Sequence, residues 1–439
     1  MVWRQLPARD DRYALVCYDK KGAERIDDPD ALGGLFSDSV VADLTEHPKS
    51  DVFLFSHGWK GDLNAAAEQY DRWIGALVDR TGDRAKAEAK RPGFALLFVG
   101  LHWPSLPFGD EEIDAGASFA AIASASGVNP VDVYVERLGE HPDIRTSLAV
   151  IFEEAKRNAA ADQLTDAARD AYKHLDQTLA LGANGPGGDP ASDRAPFDPD
   201  EALKNAGEAS VDFGDTGAGG LFLAPLRQLS FWTMKKRARS IGEAGMHDFV
   251  KRLQEAAPEA RFHLMGHSFG CIVMSSVLGG RAGTAALPRP VDSCVLVQGA
   301  MSLWSCAPDI PKAPGTPGYF HRLIGEGRVK GPILVTSSRF DRAVGTFYPL
   351  AAGAAGQVDF LGGDNFPKYG GTGAFGLRGV QNAEDMKMLG ADDDYQLTPA
   401  RIHNLESSRY ICKGDGASGA HSDIAGPEVA HAIWQAAIA

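Results

Sequence analysis

No apolar run in this 439-residue chain is long enough to cross a bilayer, and Met1 to Asp11 carry charges where a signal peptide would need an apolar stretch. Basic excess is missing too: 44 Lys and Arg stand against 58 Asp and Glu, a formal net charge of -14. Phosphate binding needs a basic surface, so no nucleic acid is expected as a partner, and an anionic membrane surface is disfavoured. Cysteine is scarce. The five present are an odd number without C-x-x-C spacing, which argues against a disulfide framework or a zinc site and for reduced, buried thiols. Cys17, Cys294 and Cys412 lie in apolar, strand-like runs, Cys271 begins a helix, and only Cys306 sits in a Pro-rich loop. No Gly-x-Gly-x-x-Gly follows a strand, so no dinucleotide cofactor is indicated. No internal repeat is visible. The expected compartment is the cytoplasm, and neither metal nor cofactor is expected.

What is present is a soluble globular composition, 44% hydrophobic and 23% charged. The length fits one domain of about 300 residues with insertions, or two smaller ones. Tyr13-Ala-Leu-Val-Cys-Tyr18, Asp51-Val-Phe-Leu-Phe-Ser56 and Phe94-Ala-Leu-Leu-Phe-Val99 read as buried strands. After the second, Asp62 can cap a helix on which Tyr70, Trp73, Ile74, Leu77 and Val78 share one face. Alternating strands and helices predict an α/β fold, a mostly parallel central sheet covered by helices on both faces.

The alternation breaks from about Gly109 to Leu229. Val131 to Leu138 and Ile144 to Leu181 look helical, and Gly182 to Gly220, rich in Gly, Pro and Asp, reads as a loop. This gives a core of residues 1–108 and 231–439 and an α-helical cap insertion of residues 109–230 over the sheet's carboxyl edge. Helical spacing returns with Phe231, Met234, Ala238, Ile241, Phe249, Val250 and Leu253. The basic run Lys235 to Arg239 is expected to be a solvated helix face, with a membrane-surface patch as the alternative. Further strands are expected at Val291 to Val297, at Pro332 to Thr336 and around Tyr410 to Cys412. A Gly-rich segment, Gly353 to Gly379, intervenes, and Asp392 to Asp394 read as a solvated turn rather than a calcium loop.

The densest chemistry lies in Arg261-Phe-His-Leu-Met-Gly-His-Ser-Phe-Gly-Cys-Ile-Val-Met274. An apolar run enters Gly266-His267-Ser268-Phe269-Gly270 and a helically spaced apolar run leaves it: strand, sharp turn, helix, with Ser268 at the apex. Side chains two positions either side of the serine would clash, and Gly266 and Gly270 remove them. A serine hydroxyl needs a base within reach, histidine can take and return its proton, and a carboxylate holds the imidazole tautomer.

With these residues in view the chain resembles an α/β-hydrolase of the serine esterase or lipase kind. The resemblance rests on His57-Gly58-Trp59 after an early strand, the Gly-His-Ser-Phe-Gly turn, Asp341 after a late strand, and His421 near the end, in the order Ser, Asp, His. It covers roughly Tyr13 to Leu106 and Phe231 to Ala439. It departs from the family in its long insertion and in the 80 positions from Asp341 to His421. It implies Ser268 as nucleophile, His421 as base and Asp341 as acid, with the backbone N–H groups of Trp59 and Phe269 as oxyanion donors. His57, Gly58, His102 and Trp103 would line the substrate pocket, though packing is an equal role for His102 and Trp103. Rivals are His403 and His431 for the base and Asp309 for the acid; Asp292 begins its strand and lies at the wrong edge, and His267 points elsewhere. The implied activity is cleavage of a small-molecule or lipid-like carboxylic ester through an acyl-enzyme. Amide or thioester hydrolysis, acyl transfer, or a non-catalytic binding protein on the same fold are the alternatives. Oligomeric state is not legible.

Overall fold

The structure, a computed structural model, describes residues 2–26, 34–59, 63–91, 93–105, 129–158, 163–213, 222–352, 366–414, 416 and 418–439. Its strands are β1 (Val2–Gln5), β2 (Arg12–Cys17), β3 (Asp51–Ser56), β4 (Leu96–His102), β5 (Arg261–His267), β6 (Ser293–Val297), β7 (Ile333–Ser337), β8 (Ala383–Lys387) and β9 (Ile402–Glu406). They form one sheet in the order β1-β2-β4-β3-β5-β6-β7-β9-β8. Only β1 and β2 pair antiparallel; every other neighbouring pair is parallel. The predicted α/β fold is therefore present. β3 is buried at every residue, as its unbroken apolar run requires of a strand covered on both faces.

Two helical layers cover the sheet. Leu63–Val78, Thr81–Lys90 and Pro427–Ile438 pack together in one; Phe36–Glu46, Ala224–Ile241, His247–Ala256 and Gly270–Gly279 form the other. The predicted apolar face of the first helix is buried at Tyr70, Trp73, Ile74 and Leu77; the capping position given to Asp62 lies outside the described residues. The predicted helical run from Phe231 onward divides into two helices joined by a wide turn at Gly242–Met246. There a Cβ on Gly242 would meet the Val273 carbonyl at 2.6 Å, so the turn lies close against the helix Gly270–Gly279.

From β3 the chain crosses to β4 on one side of β3, and the later β5 lies on the other side. The sheet order therefore reverses between β3 and β5, and the crevice outside the carboxyl ends of such a pair is where ligands of open α/β sheets bind. The register sets Ser56 opposite Gly266, and Gly266 opposite Leu296, so the turns after β3, β5 and β6 emerge side by side.

Several expectations need correction. Tyr410 to Cys412 is a turn, not a strand; the strand is β9, with His403 inside it, and β8 beside it carries too many charges to read as one. Cys412 is accordingly exposed, whereas Cys306, in its loop, is buried. The Gly/Pro/Asp-rich stretch contains the helix Pro199–Phe213, and Ile144 to Leu181 is two helices, Pro142–Arg157 and Asp166–Leu179. Of the proposed insertion, residues 109–128, 159–162 and 214–221 lie outside the described residues, as does 353–365 of the Gly-rich segment.

The basic run is not a solvated face. Lys235 is fully buried, its Nζ 2.6 Å from the Tyr348 hydroxyl, 3.5 Å from Asp193 Oδ2 and over the Trp232 and Tyr348 rings. Arg237 donates to the Pro104 and Arg137 carbonyls, and Arg239 pairs with Asp189 and Glu243. Among the described residues no helix is long and apolar enough to cross a membrane.

Candidate active site

Ser268 stands between β5 and the helix Gly270–Gly279 with φ +57, in the left-handed region that costs a non-glycine residue about 1–3 kcal/mol. Hydrogen bonds hold it there: its N–H donates to the Val297 carbonyl, and its own carbonyl accepts from Cys271 and Ala300. The close approaches need glycine on three sides. A Cβ on Gly266 would meet the Gly270 carbonyl at 2.4 Å, one on Gly270 the Ser56 carbonyl at 2.1 Å, and one on Gly58 the Ser268 Cβ at 2.6 Å.

Ser268 Oγ lies 2.8 Å from His421 Nε2, and His421 Nδ1 lies 2.8 Å from Asp341 Oδ2. All three residues are buried, at 4%, 8% and 1% exposure. The Asp341 carboxylate can only accept, so Nδ1 carries the imidazole proton and Nε2 is left to accept from the serine hydroxyl. Asp341 Oδ1 also accepts the Val344 N–H at 3.0 Å. The 80-residue separation between Asp341 and His421 is bridged locally: Asp341 and Gly419 form an isolated antiparallel bridge, with Ala420 N–H donating to the Phe340 carbonyl at 2.9 Å. β8 and β9 fall within the intervening sequence.

The turn after β3 supplies the opposite wall. His57 Nδ1 lies 2.8 Å from the Gly58 carbonyl, and His57 Nε2 accepts the Trp103 N–H at 3.2 Å. The ring is therefore the Nδ1–H tautomer, donating to Gly58. Burial keeps it neutral by pushing it down to about 4, against the opposing pull of the Gly58 bond. His102, whose Nδ1 lies 3.1 Å from His57 Nε2, is held well below the usual histidine range by burial and then by His57. His57 stacks on Trp103, whose indole N–H donates to the His57 carbonyl at 3.1 Å. His57, His102 and Trp103 are thus fully engaged with one another. In a trans peptide C=O and N–H point to opposite sides, so pinning the Gly58 carbonyl turns the Trp59 N–H the other way. Among the described residues neither the Trp59 nor the Phe269 N–H has a hydrogen-bond partner. The two side chains meet at 5.6 Å between ring centroids, and Phe231 packs on both.

The rivals are engaged elsewhere. His403 Nε2 meets Thr398, and His431 Nδ1 lies 2.9 Å from both Asp83 oxygens, tying the last helix to Thr81–Lys90. Asp309 is exposed in a turn and accepts from Gly315; Asp292 accepts the Phe262 N–H at the amino end of β6. His267 does point away from Ser268, yet it braces His421: its Nε2–H donates to the His421 carbonyl at 2.9 Å, while Nδ1 accepts from Gln69 at 3.0 Å.

Sequence reasoning missed three residues. The Tyr70 hydroxyl accepts the His57 N–H at 2.9 Å and donates to the Leu101 carbonyl at 2.7 Å, joining the ends of β3 and β4. Gln69 supports His267, and Gln298 Nε2 donates to Asp341 Oδ2 at 2.8 Å. The only signal for Gln298 is its place, a polar residue one step beyond a buried strand. Among the described residues no cluster of three or more His, Cys, Asp or Glu could hold a metal ion. No family model, no curated protein and no solved structure matches this chain.

Proposed function

We propose that the chain is an α/β-hydrolase that cleaves carboxylic esters through an acyl-enzyme, with Ser268 as nucleophile, His421 as base and Asp341 as acid. One observation carries the reading: the unbroken 2.8 Å contacts from Ser268 Oγ through His421 to Asp341, with the serine strained at the reversal of the strand order. In the proposed cycle Ser268 Oγ attacks the ester carbonyl carbon while His421 Nε2 takes the hydroxyl proton. The tetrahedral oxyanion accepts from the Trp59 and Phe269 N–H groups, each worth about 3–4 kcal/mol of barrier. Collapse breaks the C–O bond, and His421 returns the proton to the departing alcohol. Water, deprotonated by the same imidazole, then releases the acid and restores Ser268.

The described helices of the insertion support the reading of residues 109–230 as a cap. Asp166–Leu179 and Pro199–Phe213 pack on Ala224–Ile241, whose Phe231 lies against Trp59 and Phe269, and Pro199–Phe213 also touches the helix Tyr348–Ala351 that follows the Asp341 loop. A cytoplasmic setting is in keeping with five reduced cysteines, four of them buried.

The test is titration with a fluorophosphonate, followed by peptide mass mapping. Stoichiometric label on Ser268, lost in Ser268→Ala, is the expected result; an unlabelled, folded wild type points instead to a binding protein. A panel of esters, amides and thioesters of varied acyl and alcohol size then ranks the acyl chemistries.

A further inference from the structure

The Asp341 carboxylate receives two donors on one oxygen. His421 Nδ1–H and Gln298 Nε2–H both reach Oδ2 at 2.8 Å, while Oδ1 takes the Val344 N–H. The Gln298 amide has only one orientation. Its backbone N–H donates to Thr336 Oγ1 at 2.9 Å, which directs the threonine proton to Gln298 Oε1 at 2.8 Å. The amide NH2 then faces two pure acceptors, Asp341 Oδ2 and the Gly373 carbonyl at 3.2 Å. Turned round, the amide would set its oxygen against a carboxylate and a second carbonyl.

The backbone is committed to this placement as well. Gln298 is fully buried with φ +46, a region non-glycine side chains rarely adopt. Gly373 lies directly on it, where a Cβ would stand 2.7 Å from the Gln298 carbonyl carbon. Satisfying a buried amide needs no such conformation; strain of this kind persists where the surroundings over-determine it, and it clusters at working sites.

We infer that Gln298 is a positioning residue for the Ser268–His421–Asp341 relay, a role that rests on the serine-hydrolase chemistry proposed above. Its donor fixes the rotation of the carboxylate, so that Oδ2 meets the imidazole. It also shares the carboxylate's charge, which moderates the hold on the imidazolium and lets His421 give its proton back. His267 faces the same imidazole from the far side, at 5.0 Å between ring centroids.

The experiment measures the fluorophosphonate labelling rate of the full chain from about pH 5 to 9, the range in which a histidine base titrates, for wild type, Gln298→Leu, Gln298→Glu and Thr336→Val. Gln298→Leu is expected to label about 10- to 100-fold more slowly, the worth of a hydrogen bond to a charged group. Its rate relative to wild type should rise with pH, because an unshared carboxylate holds the protonated base more firmly. Gln298→Glu should show the opposite trend: close to wild type where its carboxyl is protonated and able to donate, and falling behind as it ionises beside Asp341. Thr336→Val frees the amide without removing it and should follow Gln298→Leu at smaller size. A purely structural glutamine gives ratios that do not change with pH, and that outcome overturns the inference. So does wild-type labelling in all three variants, or failure of all three to accumulate as folded protein. If wild type itself takes no label, the serine-hydrolase reading has failed; if it labels at Ser268 while the ratios stay flat, only the role of Gln298 has.

Discussion

The Cα of Gly58 sits so close to Ser268 that a methyl group placed on it would stand 2.6 Å from the serine Cβ. The peptide that presents the Trp59 N–H therefore lies against Ser268 with no room for a side chain. Gly58→Ala is expected to push that peptide away from the site. Because losing one oxyanion donor costs roughly 10²–10³ in rate, fluorophosphonate labelling should slow by that order while the thermal unfolding midpoint changes little. Labelling within a factor of about two of wild type would mean that the Trp59 N–H takes no part.

Asp341→Asn and Asp309→Asn separate the two candidate acids. Asp341 is buried and bonded to His421, whereas Asp309 only closes an exposed turn with Gly315. The first substitution should lower the rate by several orders of magnitude, by installing the wrong tautomer. The second should leave it within about twofold. The reverse ranking would move the acid.

Lys235→Met addresses the buried knot behind the site. Without the ammonium, Asp193 stays buried beside Tyr348 with its charge unopposed, and removing one partner of such a pair costs about 3–5 kcal/mol. Urea unfolding at pH 7 should show that loss, and the double variant Lys235→Met/Asp193→Asn should recover part of it. The sign of the pH effect follows from burial, which pushes the amine down to about 8 against the pull of Asp193, from the value of about 10.4 in an unfolded chain. Between those values the unfolded chain holds a proton the folded chain lacks, so Lys235 makes stability rise with pH across that window. Lys235→Met should remove that slope.

Thiol chemistry checks the corrected positions of the cysteines. Burial raises the Cys271, Cys294 and Cys306 thiols, the latter two to about 12, and Cys17 is buried as well. Iodoacetamide should therefore modify native protein once, at Cys412, and all five positions only after denaturation. Rapid native modification of Cys306 would contradict its buried place.

Ser268, Asp341 and His421, which the structure brings together, stand out in the sequence: glycines flank the serine, a buried strand precedes the aspartate, and the histidine lies near the end of the chain. Gln298, Gln69 and Tyr70 were not, because their roles depend on which strand ends lie side by side, and that comes from the sheet order. β8, Ala383-Glu-Asp-Met-Lys387, escaped notice for a related reason: an edge strand pairs on one side only and tolerates charge, so it carries no apolar period. Tyr410-Ile-Cys412 misled in the other direction, being an apolar triplet used to pack a turn. Pro199–Phe213 was hidden by the glycines and prolines around it. Lys235 read as solvated because nothing near it in sequence reveals Asp193 or Tyr348.

Ser268, His421 and Asp341 are joined across 153 and 80 positions of chain, from Ser268 to His421 and from His421 to Asp341. No fragment of the sequence holds the site. Contacts at such separations form only after loop-closure entropy has been overcome, so they belong to the late part of folding. Reactivity at Ser268 is then a reporter of the finished topology: during refolding it should return no earlier than the slowest step that docks the His421 turn beside the Asp341 loop, well after helices and local strand pairs have formed.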